Sequence, residues 1–392
     1  MGTHVLTDNT EALFRSIDFG SVTARNRVVM APMLTNFGGP EDGVREHQMK
    51  YYAERARGGV GTLIVEASSV RQDARISPRQ LGIYHDRFIP GLARLAGAIK
   101  REGALAFLQL CHGGPKTFSS AGIKPESISR VGIGYGDEPR MLTRAELRKI
   151  RGEFVAASVR ARAAGFDGVE LHAAHFYLLS ASISPFTNQR RDAYGGSIAN
   201  RARLTREIVE DVKAELGHDY PVWVRINACE TLDPGLTLEE GQQVANILAE
   251  AGADGIHVSA YTVPMNEAIR KRMKIQVGSI PLQDTPPGPF LPYAAAIRRA
   301  VHVPVIGVAK LDDPMIASEA LVKGKCDLIA LGRQLLCDPY WPGKVQDGRT
   351  HEIVHCKYCM TCHTALLKSK EVRCAQNLNL FGKPHYKEPS KE

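Results

Sequence analysis

The sequence lacks long apolar runs and an N-terminal export signal. No stretch of about 18 consecutive apolar residues occurs among its 392 positions, so we expect no transmembrane helix and no membrane partner. The first residues, MGTHVLTDNTEALF, have no basic segment followed by the apolar stretch that a secretion signal requires. We therefore expect a cytoplasmic protein.

A strong charge of one sign is also missing. Lys and Arg number 50 and Asp and Glu number 42, which gives a mild net charge of +8. The basic residues do not alternate with aromatic ones, so we expect no nucleic-acid partner. Part of the excess lies in residues 343–392, which hold nine basic and five acidic side chains. Such a basic end is a solvated surface or a docking site for an acidic partner or an anionic substrate.

Eight short apolar runs alternate with helix-like stretches along the chain. Continuous apolar runs are typical of parallel strands that are buried on both faces. Eight strand–helix units over about 300 residues favour closure into an α/β (β/α)8 TIM barrel over an open, doubly wound sheet. The predicted strands span residues 27–32, 61–67, 104–110, 167–173, 221–227, 254–260, 303–309 and 326–332.

The alternating pattern has two interruptions and an end. We predict a barrel over residues 1–345 and a short cysteine-rich extension over residues 346–392, because the strand pattern stops near residue 345. Long loops interrupt it at residues 113–141, rich in Gly, Ser and Pro, and at residues 281–292, which contain five prolines. Loops of this length inside a compact domain are usually functional, so we expect both near the catalytic face.

Two histidines and a tyrosine follow the fourth predicted strand. They are His172, His175 and Tyr177. Barrel enzymes place catalytic groups at the carboxyl ends of their strands. Imidazoles there can polarise a substrate oxygen, and a phenol can supply a proton. A metal-binding histidine pair and structural core histidines are the competing interpretations.

The segment that follows carries a family resemblance. Residues 172–201, which begin HAAHFYLLSASISPF, resemble the signature segment of the Old Yellow Enzyme family of FMN-dependent ene-reductases. The resemblance extends from about residue 10 to about residue 380, and it implies a (β/α)8 barrel, in agreement with the alternating pattern. Four further blocks occur in the family's order and spacing: NRVVMAPM (26–33), FLQLCHGG (107–114), VRIN (224–227) and GRQLLCDP (332–339).

The resemblance implies that residues at the strand ends bind FMN. Gln109 would hydrogen-bond the pyrimidine edge of the flavin. Arg225 would lie near N1 and the C2 oxygen, where positive charge stabilises the anionic reduced flavin. The ends of the seventh and eighth strands would hold the phosphate, which is the usual phosphate site of such barrels. The implied set is Pro32, Met33, Ala67, Gln109, Arg225, Gly307, Ala309, Lys310, Gly332 and Arg333.

The same resemblance implies catalytic roles. His172 and His175 would bind the substrate carbonyl oxygen. Tyr177 would protonate the α-carbon after hydride reaches the β-carbon.

Two positions depart from the family pattern. Phe176 stands where many members have a small residue, so we expect a narrower or differently shaped pocket. Leu34 stands where many members carry Cys or Thr near the flavin. This change removes a polar contact that would tune the redox potential, and Thr35 is the next candidate to supply one.

Four of the eight cysteines cluster near the end of the chain, at Cys356, Cys359, Cys362 and Cys374. In a cytoplasmic protein such a cluster indicates a metal rather than disulfides. Three thiolates within seven residues, closed by a fourth, are typical of iron–sulfur sites, whereas structural zinc more often uses two separated pairs. We predict a [4Fe–4S] cluster, with zinc as the alternative. The run resembles that of the family's iron–sulfur branch, which includes 2,4-dienoyl-CoA reductase, 2-enoate reductase and trimethylamine dehydrogenase.

The source of electrons follows from the same branch. Its members continue into a large FAD- and NAD(P)-binding part, and this sequence has 18 residues after Cys374. The nearest match to a dinucleotide fingerprint, at Gly132, Gly134 and Gly136, neither follows a strand nor opens a helix. We therefore expect electrons from NAD(P)H bound at the FMN or from a separate redox protein through the cluster. We also expect a homo-oligomer.

The predicted function is that of an FMN- and iron–sulfur-dependent oxidoreductase. It would reduce, or reversibly desaturate, the C=C bond of an α,β-unsaturated carbonyl compound or an enoyl or dienoyl thioester. The alternative within oxidoreductases is an amine dehydrogenase, against which the lack of aromatic cage residues counts. A non-catalytic barrel stabilised by zinc, or a flavin carrier active only with another chain, are alternatives from other classes.

Overall fold

Eight parallel strands close into a barrel in the computed structural model, which describes residues 10–39, 43–118, 123–133, 137–264 and 277–381. Each strand pairs with the next along the chain, and β8 pairs with β1. Every predicted strand overlaps one of them, which confirms the (β/α)8 TIM barrel. The strands are β1 (Val28–Met30), β2 (Thr62–Ser69), β3 (Leu105–Cys111), β4 (Gly168–Ala173), β5 (Val222–Glu230), β6 (Gly255–Tyr261), β7 (Val305–Val308) and β8 (Leu328–Leu331).

Helices follow each strand and cover the outside of the barrel. Those before β8 are α1 (Glu46–Arg57), α2 (Ile89–Lys100), α3 (Arg144–Ala163), α4 (Leu178–Ile183), α5 (Ile198–Leu216), α6 (Leu238–Glu250), α7 (Leu291–Ala300) and α8 (Pro314–Val322). Capping boxes begin two of them, because Thr143 and Thr237 each accept the N–H of a glutamate three residues on. Among the described residues, no helix is long and apolar enough to cross a bilayer.

A hairpin of Ile17–Phe19 and Val22–Ala24 lies at the amino end of the barrel. Its Phe19 ring packs edge-on against Trp223 of β5, with ring centroids 4.8 Å apart. The interior behind it is filled by apolar side chains, among them Phe107, Trp223 and Ile306. With the amino end plugged, the carboxyl end of the strands is the open face, as in other barrels of this type.

The chain after β8 folds back over this carboxyl face. It contains α9 (Arg333–Cys337), α10 (Trp341–Gln346), a 3₁₀ turn at Thr350–Glu352 and α11 (Thr361–Leu367). The Val372 N–H donates to the Thr35 carbonyl at 2.8 Å, so the extension contacts the loop after β1. The predicted boundary between residues 345 and 346 lies at the end of α10.

Candidate active site

A cavity of about 560 Å³ lies at the carboxyl end of the barrel. All predicted catalytic and flavin-binding residues line it except Gly307, which lies within β7. Both long loops reach it as predicted, through Lys116 to Phe118 and through Pro281 and Phe290. The part of the first loop at residues 119–122 and 134–136 falls outside the described residues. The extension also contributes, because Tyr358 and Cys362 line the same cavity.

Strand register explains why the predicted residues of the inner strands meet. Gln109 of β3 lies opposite Glu170 of β4, and Arg225 of β5 lies opposite both His172 of β4 and His257 of β6. Residues in register on neighbouring strands point to the same side of the sheet. Here that side is the barrel interior, so residues far apart in sequence form one buried polar group.

His172 is almost fully buried beside two other rings. Its ring centroid lies 5.0 Å from that of His175 and 4.7 Å from that of Tyr177, both edge-on. Burial lowers the pKa of His172 well below its usual value, and the charge of Arg225 lowers it further. The ring is therefore neutral, and its Nδ1 accepts the Ala174 N–H at 3.4 Å. In this tautomer the proton sits on Nε2.

His175 is held by an unusual backbone conformation and by two contacts that the sequence analysis missed. Its φ of 63° lies in the left-handed region. The His175 N–H donates to Asn227 Oδ1 at 3.2 Å, and its Nε2 lies 2.8 Å from Ser259 Oγ. Burial lowers the pKa of His175 well below its usual value. Ser259 had no sequence signal of its own, because it lies within a run predicted only as a strand.

Lys116 is a second residue that the sequence analysis missed. Its ammonium lies 5.6 Å from the ring centroids of both Tyr177 and Tyr261. Burial lowers the pKa of Lys116 to about 7. The side chain therefore brings a titratable cation next to the predicted proton donor. The only sequence signal was its place in the loop after the third strand.

The two positions that depart from the family pattern behave differently. Phe176 has a φ of 61° and packs against Tyr261, with ring centroids 4.7 Å apart, rather than lining the cavity. It therefore supports the pocket wall from behind. Leu34 lines the cavity, but the Thr35 N–H and hydroxyl both donate to the buried Glu66 carboxylate. Thr35 is thus turned away from the site at which a flavin would bind.

The cavity fits the predicted flavin in its polar chemistry. Arg225 Nε is buried and has no hydrogen-bond partner among the described residues. A Cβ on Gly332 would come within 3.2 Å of Met33 Sδ, so a side chain at position 332 would crowd Met33 at the cavity wall. At the predicted phosphate end, the Tyr358 ring lies 4.4 Å from Lys310 Nζ and 4.7 Å from Arg333 Cζ.

The four predicted cluster cysteines are free thiols beside this end of the cavity. Cys356 and Cys362 lie close enough to Cys374 to interact electrostatically. Among the described residues, however, no group of three or more His, Cys, Asp or Glu side chains is placed to hold a metal ion. Cys374 instead shares a hydrogen bond with Cys337, which lowers the pKa of Cys374 to about 6. Four thiols from one short segment suit an iron–sulfur cluster chemically, and the cluster stays a prediction.

Comparison with known proteins gives the context of these residues. The family model described as the NADH:flavin oxidoreductase / NADH oxidase family matches residues 12–352. An NADH oxidase from Thermoanaerobacter brockii is 37% identical over 373 residues, which cover 94% of this chain and 55% of the relative. An NADPH dehydrogenase from Geobacillus sp. (strain WCH70) is 36% identical over 334 residues, which cover 84% of this chain and 92% of the relative. The chain thus spans about half the length of the first relative.

Two solved structures have the same fold. A 2-naphthoyl-CoA reductase in complex with 2-naphthoyl-CoA matches with a TM-score of 0.88 at 26% identity, over 95% of this chain and 57% of that one. An Old Yellow Enzyme homologue from Zymomonas mobilis matches with a TM-score of 0.73 at 28% identity, over 85% of this chain and 92% of that one. The barrel, its cavity and these similarities agree with the resemblance found in the sequence: the chain belongs to the NADH:flavin oxidoreductase / NADH oxidase family of FMN-dependent NAD(P)H oxidoreductases.

Proposed function

We propose that this protein reduces the C=C bond of an α,β-unsaturated carbonyl compound. The observation that carries the proposal is the group of three rings at the end of β4, in which His172 lies 5.0 Å from His175 and 4.7 Å from Tyr177 between ring centroids. Two neutral imidazoles and one phenol in a buried cavity suit an oxygen that gains negative charge and a carbon that needs a proton.

FMN would lie along the strand ends, with Gln109 and Arg225 at its pyrimidine edge and Lys310 and Arg333 at its phosphate. Pro32, Met33, Ala67, Ala309 and Gly332 would line its ring and ribityl chain. The bound cofactor, reduced by NAD(P)H, would supply hydride to the substrate β-carbon. Arg225 is a suitable partner for negative charge at this edge because it is buried and its Nε has no protein acceptor among the described residues.

His172 would donate to the substrate carbonyl oxygen through Nε2. Its Nδ1 accepts a backbone N–H, which leaves Nε2 as the nitrogen that carries the proton. His175 would donate through Nδ1 while Nε2 accepts from the Ser259 hydroxyl. Because both rings are neutral, they stabilise the enolate-like oxygen by hydrogen bonds without giving up a proton early.

Tyr177 would give its phenolic proton to the α-carbon as the β-carbon receives hydride. The new C–H bonds at both carbons then account for the two hydrogens added, and the phenolate regains a proton from solvent. Desaturation would use the same groups in reverse. An enoyl or dienoyl thioester is the finer substrate class that we favour, on the strength of the similarity to 2-naphthoyl-CoA reductase.

We further propose that Cys356, Cys359, Cys362 and Cys374 bind a [4Fe–4S] cluster beside the cofactor, with structural zinc as the alternative. The cluster would let a separate redox protein deliver electrons where NAD(P)H does not. An amine dehydrogenase is disfavoured because a cationic substrate would share the cavity with the positive charge of Arg225.

The test is an absorbance spectrum of anaerobically purified protein, with iron, sulfide, zinc and released-flavin assays on the same sample. We expect flavin bands over a broad brown shoulder and about four iron and four sulfide per FMN. NAD(P)H should then bleach the flavin, and an enone or enoyl thioester should restore its colour. A colourless protein with one zinc would overturn the proposal, and flavin reduction by an amine instead of re-oxidation by an enone would favour the amine dehydrogenase.

A further inference from the structure

A buried polar layer forms part of the cavity floor and continues beneath it, where β3 to β6 face the barrel interior. We define the polar layer by its five side chains: Gln109, Glu170, His172, Arg225 and His257. Each of them is more than nine-tenths buried, and Glu170 and His257 are fully buried. Charged groups in such a place need partners, because burial of an unpaired charge is costly.

Glu170 is the acceptor that connects this layer. One carboxylate oxygen accepts from Gln109 Nε2 at 2.7 Å, and the other lies 2.7 Å from His257 Nδ1. Its charge also acts on Arg225, because burial lowers the pKa of Arg225 and Glu170 opposes that shift. Glu170 is thus the anion that offsets the Arg225 cation of the layer.

The members of the layer divide into those that reach the cavity and those that do not. Gln109, His172 and Arg225 line the cavity, whereas Glu170 and His257 lie behind them. Two buried nitrogens, Arg225 Nε and His257 Nε2, have no hydrogen-bond partner among the described residues. Glu170 can therefore influence a bound cofactor only through the residues it orients and the charge it offsets.

We propose that Glu170 is a positioning residue that orients the Gln109 amide and limits the positive charge that Arg225 presents to the cofactor, and so sets the cofactor's redox potential. The inference rests on the proposed function, because it requires FMN in this cavity. Negative charge that appears at the pyrimidine edge on reduction is stabilised by Arg225 and opposed by Glu170. Removal of the Glu170 charge should favour the reduced cofactor. Replacement of His257 should favour the oxidised cofactor, because loss of the contact of its Nδ1 with the Glu170 carboxylate at 2.7 Å leaves that negative charge less compensated.

The experiment measures the Kd of oxidised and of reduced FMN, and the midpoint potential, in the holoenzyme and its variants. Glu170→Gln keeps the size of the side chain and loses its charge. We expect the ratio of the oxidised to the reduced Kd to rise about tenfold, which equals a midpoint about 30 mV more positive for a two-electron couple. His257→Asn should shift the ratio in the opposite direction. If the two residues had only a structural role, the two variants would not shift the Kd ratio in opposite directions.

Glu66→Gln is the matched control. Glu66 is also a fully buried carboxyl group, but its partners are Thr35, Gln48 and Tyr52 instead of the polar layer. Because burial raises the pKa of Glu66 to about 7, the variants are compared at pH 8, where Glu66 is charged. We expect it to leave the Kd ratio within twofold. An unchanged ratio in Glu170→Gln, with FMN bound, would overturn the inference and leave the proposed function standing. If Glu170→Gln does not fold, His257→Asn alone can decide: a rise in its Kd ratio would overturn the inference. A wild-type protein that takes up no FMN would overturn both the inference and the proposed function.

Discussion

The strand ends of the barrel and the cysteine segment of residues 356–374 bound the same cavity but are held by different forces. At the strand ends, ladder hydrogen bonds between neighbouring strands fix the register, and register brings His172, Arg225 and His257 side by side. The cysteine segment has only the short helix α11 and three residues, Tyr358, Met360 and Ser369, in the left-handed region. Its thiols lie near one another without forming a coordination site among the described residues.

The difference concerns what organises each region. A backbone ladder positions side chains whether or not a ligand is present, so the barrel site is pre-formed. A cysteine loop takes much of its order from the metal itself, because metal binding and loop folding share one free energy.

Cys374→Ser should abolish cluster assembly and spare flavin binding. We expect iron and sulfide to fall from about four per chain to less than about one, because the fourth ligand closes the site. FMN content should stay within twofold of the wild type, because the strand ends do not depend on the cysteines. Metal and flavin assays on the same anaerobic sample provide the measurement.

Cys229→Ser is the control for this variant. Cys229 is a partly buried thiol of β5 and lies outside the cysteine segment, so its replacement should keep the iron. If Cys374→Ser loses FMN together with iron, the two regions form one cooperative unit and the contrast between them is wrong.

Tyr177→Phe should slow re-oxidation of the reduced enzyme by an enone at least about 100-fold, which is the usual contribution of a positioned proton donor. Reduction by NAD(P)H should change less than twofold, because it needs no proton from Tyr177. Stopped-flow absorbance separates the two half-reactions. Tyr261→Phe is the matched control, since the Tyr261 ring centroid lies at the same distance from Lys116 Nζ, 5.6 Å, as that of Tyr177. Equal slowing of both half-reactions in Tyr177→Phe would instead indicate a general disturbance of the barrel site.

Sequence patterns predicted the barrel and the histidines and tyrosine at one strand end because both depend on short-range rules. Buried parallel strands produce continuous apolar runs, and catalytic groups such as His172 and Tyr177 follow strand ends. The place of Arg225 came instead from the family resemblance. Contacts across the closed barrel have no local sequence pattern. Glu170 and Ser259 look like ordinary strand residues in the sequence, and only barrel closure places them beside His257 and His175, respectively.

Local backbone geometry limited the prediction in a second way. Phe176 was expected to reshape the pocket, but its left-handed backbone directs the ring to Tyr261. The position of a ring depends on φ, which residue type alone does not give for a bulky side chain. In the cysteine segment the spacing predicts a ligand set, and the final geometry depends on a metal that no residue pattern supplies.

Glu66, which holds the loop after β1 through Thr35, should make the free energy of unfolding depend on pH. Burial raises the pKa of Glu66 to about 7, although hydrogen bonds from Thr35, Gln48 and Tyr52 favour its charged form. The native state therefore holds a proton that the unfolded chain releases near pH 4.5. The contribution of Glu66 to the free energy of unfolding is therefore largest below about pH 4.5. It falls by about 3 kcal/mol as the pH rises to about 7.

Denaturant unfolding at pH 5, 6, 7 and 8 measures this loss. Glu66→Gln should flatten the curve, because the amide does not titrate. Thr35, which Glu66 holds, accepts the Val372 N–H of the extension at 2.8 Å, so loosening should appear first as faster hydrogen exchange near Val372. Parallel curves for the wild type and the variant would assign the pH dependence to another group.

Tyr358 is the residue by which the cysteine segment touches the predicted phosphate end. Its ring centroid lies 4.4 Å from Lys310 Nζ and 4.7 Å from Arg333 Cζ, and its hydroxyl donates to Asp312. Removal of the ring takes away an aromatic surface that both cations contact. A cation–π contact contributes about 0.5–1 kcal/mol at a partly exposed site, so Tyr358→Leu should weaken FMN binding about two- to fivefold.

Tyr358→Phe keeps the ring and loses only the bond to Asp312, so it should change the Kd of FMN less than about twofold. Quenching of flavin fluorescence during titration of the apoprotein measures both variants. An equal Kd in Tyr358→Leu and the wild type would mean that the barrel binds its cofactor without help from the cysteine segment. The two regions would then contribute independently to the binding free energy. A larger loss for Leu than for Phe would mean that one aromatic side chain of the cysteine segment completes the pre-formed barrel site, because it is the ring, and not the hydroxyl, that contacts the two cations.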